Sequence, residues 1–73
     1  MLYKVMKKFN REIFCERIRV LRELRGFSQK EMADAICVER STYSSYEIGR
    51  SLPPLDIAKA VAEKLQVSLD DLV

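Results

Sequence analysis

Apolar residues recur at helical spacing in the first third of the chain. Phe14, Ile18 and Leu21 follow one another at i, i+4 and i+7, and charged side chains occupy the opposite face. This pattern predicts an amphipathic helix. Gly26 comes directly after an arginine-rich stretch, and glycine suits the left-handed residue that ends a helix. The first predicted helix therefore spans residues 10–25.

Helix-start signals divide the rest of the chain. Ser28 and Glu31 have the spacing of a capping box, in which each side chain bonds the other residue's backbone N–H. Phe27 and Met32 bracket that box with the spacing of a hydrophobic staple. Similar signals recur after it, including Pro54 at a predicted first helical position. Together they predict five helices, over residues 10–25, 29–36, 40–48, 54–65 and 69–72, with short connections and no internal repeat.

Composition agrees with a single small folded domain. The chain has 73 residues, of which 48% are hydrophobic and 33% charged, with only two glycines and two prolines. This composition excludes a collagen-like, disordered or low-complexity chain. No apolar run approaches the roughly 18 residues that a membrane span needs. We expect an all-α domain over residues 10–73 and an N-terminal extension over residues 1–9, acting as an arm or a dimer contact.

The number of cysteines and the lack of histidine limit the functions that this chain can have. Only Cys15 and Cys37 are present, and there is no histidine. Zinc sites use about four Cys, His or carboxylate ligands, so this chain lacks a usual set. Without histidine, the commonest general base is also missing. No signal-peptide pattern precedes the domain. We therefore expect a cytoplasmic protein with reduced thiols that is not an enzyme and has no metal, cofactor, membrane or small-molecule partner.

The central stretch, residues 28–49, has the layout of two short helices joined by a three-residue turn. That layout is the helix-turn-helix, whose second helix enters the DNA major groove, but it is also an ordinary corner of a helical bundle. The exposed face of the second helix favours the first interpretation because small hydroxyls permit close approach to base edges. An arginine at the leading end is suited to bidentate bonds with guanine. The residues concerned are Arg40, Ser41, Ser44 and Ser45.

Several motifs in this order resemble the phage repressor/Cro-type (XRE) helix-turn-helix family. They are Leu21-Arg22-Glu23, Gly26-Phe27-Ser28-Gln29, Met32-Ala33, Tyr46-Glu47-Ile48-Gly49-Arg50, Leu52-Pro53 and the closing Val67-Ser68-Leu69-Asp70-Asp71-Leu72. The resemblance covers roughly residues 14–73 and implies a compact five-helix lambda-repressor-like domain. It also implies a sequence-specific regulator of transcription, a repressor, that binds double-stranded DNA.

The resemblance assigns roles to particular residues. It implies base contacts by Arg40, Ser41 and Ser45, and we group Ser44, which lies beside them, with these residues. It implies phosphate contacts by Gln29 and Arg50, and we group Ser28, Arg22 and Tyr46 with them. Arg22 and Glu47 also match a pair that in relatives joins the first helix to the end of the third, where they position the recognition helix.

Two departures from the family pattern fall in the turn before the second helix of the pair. Cys37 stands where the family has glycine, which predicts a strained or non-standard backbone there. Glu39 replaces the usual Ser or Thr cap and brings a negative charge close to phosphates. It would weaken nonspecific affinity, although a glutamate can also accept a bond from cytosine.

The charges are separated along the chain. Residues 1–50 hold 11 Lys and Arg against 7 Asp and Glu, whereas residues 51–73 hold 2 against 4, for a formal total of +2. The basic part coincides with the predicted DNA-facing helices. One recognition helix has a small footprint, so we expect a homodimer on an operator with two half-sites. The alternative is a helical protein-interaction module, such as an antitoxin-like partner-binding protein.

Overall fold

The described part of the computed structural model, residues 9–73, consists of four α-helices and a closing 3-10 turn. No β-strand occurs within this range. The helices are α1 (Arg11–Leu24), α2 (Gln29–Ala35), α3 (Arg40–Glu47) and α4 (Leu55–Leu65). The all-helical class is confirmed, and each predicted helix from the first to the fourth is present with ends shifted by at most one residue.

The predicted fifth helix is wrong, because Leu69–Asp71 form a single 3-10 turn. The amide of Asp71 bonds the Ser68 carbonyl at 3.0 Å and that of Leu72 bonds the Leu69 carbonyl at 2.9 Å, both of which span three residues. The Asp71 carboxylate accepts from the Ser68 amide and hydroxyl, each at 3.0 Å. A start signal followed by so short a segment closes one tight turn without nucleating an α-helix.

A second correction concerns the start of α4. Pro54 lies just outside the helix as its N-cap, with φ −60° and ψ 164°, so the first helical residue is Leu55. The proline ring fixes φ at a helical value, but the extended ψ keeps Pro54 out of the helix.

One core joins all the elements. Ile18 of α1, Met32 of α2, Tyr43 of α3 and Val61 of α4 are completely buried, and Leu72 covers the core from the closing turn. Full burial of such side chains stabilises a fold by about 1.5–3 kcal/mol each. In the sequence, Ala58, Val61, Ala62 and Leu65 follow one another at i, i+3, i+4 and i+7, which predicts an apolar stripe along α4. The stripe is confirmed, since all four residues are buried.

Capping hydrogen bonds define the N-termini of α1 and α2. Asn10 accepts bonds from the amides of Glu12 and Ile13 at 2.9 and 3.2 Å. The Ser28 hydroxyl accepts from the Glu31 amide at 3.0 Å, and the Glu31 carboxylate accepts from the Ser28 amide at 2.7 Å. The predicted capping box is therefore confirmed.

The predicted N-terminal extension, residues 1–9, lies outside the described residues except for Phe9. The half-exposed Phe9 ring lies 6.1 Å from that of Phe14, measured between centroids. Cys15 is buried and Cys37 exposed, and both are free thiols. Within residues 9–73, no helix combines the length and apolar character needed to cross a membrane.

Candidate nucleic-acid interface

The turn between α2 and α3 reverses the chain through a left-handed residue. Cys37 has a φ of 62°, which lies in the left-handed region that residues other than glycine, asparagine and aspartate rarely occupy. The Val38 amide bonds the Ala33 carbonyl at 3.0 Å, which closes the end of α2. The non-standard backbone predicted at Cys37 is confirmed, and the turn brings α3 directly against α2.

A buried ion pair fixes α3 to the two preceding helices. The Arg22 guanidinium donates to the Glu47 carboxylate at 2.6 and 3.2 Å, and Gln29 Nε2 donates to the same group at 3.0 Å. Arg22 also donates to the Phe27 carbonyl at 2.9 Å, between α1 and α2. The side chains of Glu47 and Arg22 are only 2% and 12% exposed. The pairing of Arg22 with Glu47 implied by the resemblance is thus present.

The ionisation of these groups follows from their surroundings. Burial alone would raise the pKa of Glu47, but the Arg22 hydrogen bonds, with smaller help from the Gln29 amide, lower it on balance. The same hydrogen bonds raise the pKa of Arg22. Burial and the Glu47 charge raise the pKa of Tyr43, whose hydroxyl has no hydrogen-bond partner in the described part. Glu47 and Arg22 therefore remain a charged pair beside a neutral phenol.

The four predicted base-contacting residues differ in their surroundings. Arg40 and Ser41 are exposed in the first turn of α3, while Ser44 is half-buried one turn later. The side chains of these three make no hydrogen bond or ion pair within residues 9–73. Ser45 is different, since its hydroxyl donates to the Thr42 carbonyl at 2.7 Å and lies 2.8 Å from the Ser51 hydroxyl.

The five predicted phosphate-contacting residues also separate into groups. Arg50 is exposed, and Gln29 is half-buried with its amide nitrogen on Glu47. Ser28 is exposed, but its hydroxyl oxygen caps α2. Arg22 is engaged in the buried ion pair, and Tyr46 is only 5% exposed on the core side of α3. Arg50 is thus the one of these five residues that is both exposed and without a side-chain bond in residues 9–73.

Two residues of this region were missed by the sequence reasoning. Ser51 bonds the α3 residue Ser45, and Arg11 of the first turn of α1 donates to the Gly49 carbonyl at 2.9 Å. No periodic or motif signal identifies either contact. The spacing of Ser45 and Ser51 by six residues becomes meaningful only once the chain turns back after α3.

The Lys and Arg side chains near α3 make fewer contacts with other groups than those elsewhere in residues 9–73. Among Lys and Arg residues in 9–73, only Arg40, Arg50 and Lys59 make no hydrogen bond, ion pair or ring contact. The others bond carbonyls or carboxylates, or, for Lys64, lie over the Phe27 ring at 4.3 Å from its centroid. Two of the three unengaged cations lie at the two ends of α3, where a polyanion approaching that helix would meet them.

A capped helix, a left-handed turn and a second helix with a polar exposed face define a helix-turn-helix protein. A family model described as helix-turn-helix matches residues 18–72, which is most of the chain. The chain belongs to this family, the XRE-type helix-turn-helix proteins, whose related members are named as transcriptional regulators and phage repressors.

Three comparisons illustrate the relationship. The prophage-derived HTH-type transcriptional regulator YonR of Bacillus subtilis is 38% identical over 61 residues, covering 84% of this chain and 56% of YonR. The cryptic-phage transcriptional repressor RstR of Vibrio cholerae is 33% identical over 57 residues, covering 78% and 51%. SinR, a master regulator for biofilm formation solved in complex with DNA, superposes with a TM-score of 0.74 at 30% identity, covering 81% and 95%. This chain spans about half the length of YonR and RstR.

Proposed function

We propose that this chain is a sequence-specific double-stranded DNA-binding regulator of transcription that inserts α3 into the major groove. The observation that carries the proposal is the pair of unengaged cations, Arg40 and Arg50, at the two ends of a helix whose other side is buried. Arginine at the start of a recognition helix can donate two bonds to guanine O6 and N7. Arginine after the helix can contact a phosphate, which positions the protein on the duplex.

The roles of the remaining residues follow from their surroundings. Ser41 and Ser44 are base-contacting residues in this proposal, because their hydroxyls have no partner in residues 9–73. Gln29 contacts a phosphate through the second N–H of its side-chain amide, which the bond to Glu47 leaves unused. Arg22 and Tyr46, which are largely buried, act on DNA only indirectly by holding α3 in place.

Repression and dimerisation are further parts of the proposal. The relative RstR is a phage repressor by name, and a regulator that covers an operator blocks polymerase. One α3 helix contacts only a few base pairs, so a two-fold dimer on half-sites about 34–36 Å apart would provide the required specificity. We propose a cytoplasmic homodimer built from the domain at residues 10–73, with residues 1–9 as an arm or dimer contact.

A salt titration with matched charge deletions tests the DNA-binding proposal. Binding of the chain to a fluorescent duplex pool would be measured between about 50 and 200 mM salt, where phosphate contacts give a linear fall of log affinity with log salt. Arg50→Ala should weaken binding and make that slope shallower by about one ion. Lys59→Ala is the control, because it removes the same charge from another unengaged side chain, on α4.

The two variants separate a local contact from overall charge. Equal losses from Arg50→Ala and Lys59→Ala would indicate nonspecific attraction and contradict the assignment to the α3 side. A folded sample that binds no duplex at about 50 mM salt would overturn the regulator proposal and favour the protein-interaction alternative.

A further inference from the structure

The turn that follows α3 is held in place by its backbone. The Ser45 carbonyl accepts from the amides of Arg50 and Ser51 at 3.0 and 3.4 Å. Gly49 has φ +81°, and a Cβ built there would lie 3.4 Å from the Cys15 sulfur of α1. The turn is therefore folded back onto the end of α3 and packed against α1 at the same time.

The serine side chains add a second connection. Ser45 Oγ donates to the Thr42 carbonyl at 2.7 Å and lies 2.8 Å from Ser51 Oγ. A hydroxyl has one proton to donate. Because the Ser45 hydroxyl donates its hydrogen bond to the Thr42 carbonyl, Ser51 must be the donor in the bond between the two serines. Ser45 then has no proton left to donate to a base, and only one acceptor lone pair remains.

Arg11 holds the same turn from the other side. Its guanidinium reaches from the first turn of α1 and donates to the Gly49 carbonyl at 2.9 Å. The residue between these supports, Arg50, is exposed and has no partner of its own in the described part. The contacts made by Ser51 and Arg11 thus converge on the backbone that carries the Arg50 side chain.

We infer that Ser51 and Arg11 are positioning residues for a phosphate contact by Arg50, and that Ser45 belongs to this support and not to the base-reading residues. The inference rests on the proposed DNA-binding function. A backbone ordered before DNA arrives does not have to be ordered during binding, so more of the interaction energy of Arg50 is retained as affinity.

A double-mutant cycle tests the positioning role. Anisotropy titrations on several unrelated duplexes would compare wild type, Ser51→Ala, Arg50→Ala and the double variant, at a temperature where circular dichroism shows all four folded. Loss of one neutral hydrogen bond should weaken Ser51→Ala binding by about 2- to 10-fold on every duplex. The double variant should bind no more weakly than Arg50→Ala, because positioning has no effect without the guanidinium.

Two further variants control the experiment. Ser51→Thr keeps the hydroxyl and should bind within about twofold of wild type, since the bond to Ser45 can still form. Arg11→Met removes the bond to Gly49 and should reproduce the loss seen with Ser51→Ala on every duplex. Additive losses in the double variant, or unchanged binding by both Ser51→Ala and Arg11→Met, would overturn the inference while leaving the proposed function intact.

The role of Ser45 has its own readout. Selection of bound sequences from random duplexes should give the same base preferences for Ser45→Ala as for wild type. A preference lost at one base pair would return Ser45 to the base-reading residues and overturn that part of the inference. Absence of duplex binding by wild type would overturn the proposed function, and the inference with it.

Discussion

The neighbouring helices α2 and α3 have similar lengths, yet they are stabilised in different ways. At the N-terminus of α2, Ser28 and Glu31 form both bonds of a capping box. At the N-terminus of α3, Glu39 makes no capping bond, and the preceding turn contains the left-handed Cys37. The N-terminus of α2 is thus stabilised by local capping bonds, whereas α3 depends on contacts with the rest of the domain.

This difference separates the stabilising side of α3 from its exposed side. Tyr43 anchors the helix in the core and Glu47 fixes its end through the buried ion pair. The side chains of Arg40 and Ser41, on the other side, make no hydrogen bond or ion pair with the rest of residues 9–73. We expect substitutions on the buried side to affect folding, and substitutions on the exposed side to affect binding alone.

The largest expected effect comes from removing the buried carboxylate. Glu47→Ala leaves the largely buried Arg22 guanidinium with only the more distant, exposed Glu23 carboxylate at 3.8 Å, and breaking a buried pair costs about 3–5 kcal/mol. The free energy of unfolding, measured by urea denaturation, should fall by an amount in that range. An exposed ion pair, between Lys30 and Asp34 of α2, provides the control. Asp34→Ala should lower stability by less than about 1 kcal/mol, and an equal loss in the two variants would contradict the account.

Acid should weaken the attachment of α3 through the same carboxyl. Because the folded pKa of Glu47 is lowered, this group stabilises the fold above its unfolded pKa of about 4.3, and that contribution is lost as pH falls through the folded pKa. Urea denaturation at several pH values should therefore show a steeper acid loss for wild type than for Glu47→Gln, which has nothing to titrate. Parallel pH profiles would mean that Glu47 has the same pKa in both states.

A smaller effect is expected at the start of α2. Ser28→Ala removes the oxygen that accepts from the Glu31 amide, and loss of such a cap costs about 1 kcal/mol. Ser28→Asp should restore most of the stability, since aspartate is an equally good cap. Thermal and urea denaturation would measure both variants. If Ser28→Ala is as stable as wild type, α2 is not stabilised by its cap and the contrast with α3 disappears.

The smallest effect, and the only gain, is expected in the turn before α3. Cys37→Gly relieves the left-handed strain of a residue with a Cβ, offset by the greater freedom of glycine when unfolded, for a net gain of up to about 1 kcal/mol. Cys37→Ala is the matched control, because it removes the thiol but keeps the strain. Equal stability of the two variants would show that the strain at φ 62° is no larger than the roughly 0.4–1 kcal/mol that the greater freedom of unfolded glycine costs.

The parts of the molecule that depend on local spacing are predictable from the sequence. The Ser28 capping box, the α4 stripe and the irregular backbone at Cys37 each follow from residues within one or two turns. The prediction of a fifth α-helix is wrong although it also rests on local spacing. Ser68 and Asp71 have the spacing of a helix start, but they close only a 3-10 turn.

The support of the turn after α3 could not be predicted in the same way. Arg11 lies 38 residues from the Gly49 carbonyl that it holds, and no local spacing connects the two. Ser45 occupies the same place on a helical wheel whether its hydroxyl faces a base or Ser51. Only the path of the chain after α3 distinguishes these two positions of the hydroxyl.

The most direct test of the central claim, that the exposed side of α3 reads DNA sequence, is a selection of bound duplexes by wild type and Arg40→Ala at one fixed salt concentration. Lys59→Ala, with the same loss of charge, would serve as the control. The account predicts that Arg40→Ala relaxes the preference at one base pair per half-site, costing about 1–3 kcal/mol there, while Lys59→Ala leaves every preference unchanged. Equal weakening of all sequences by Arg40→Ala, with its preferences intact, would contradict it.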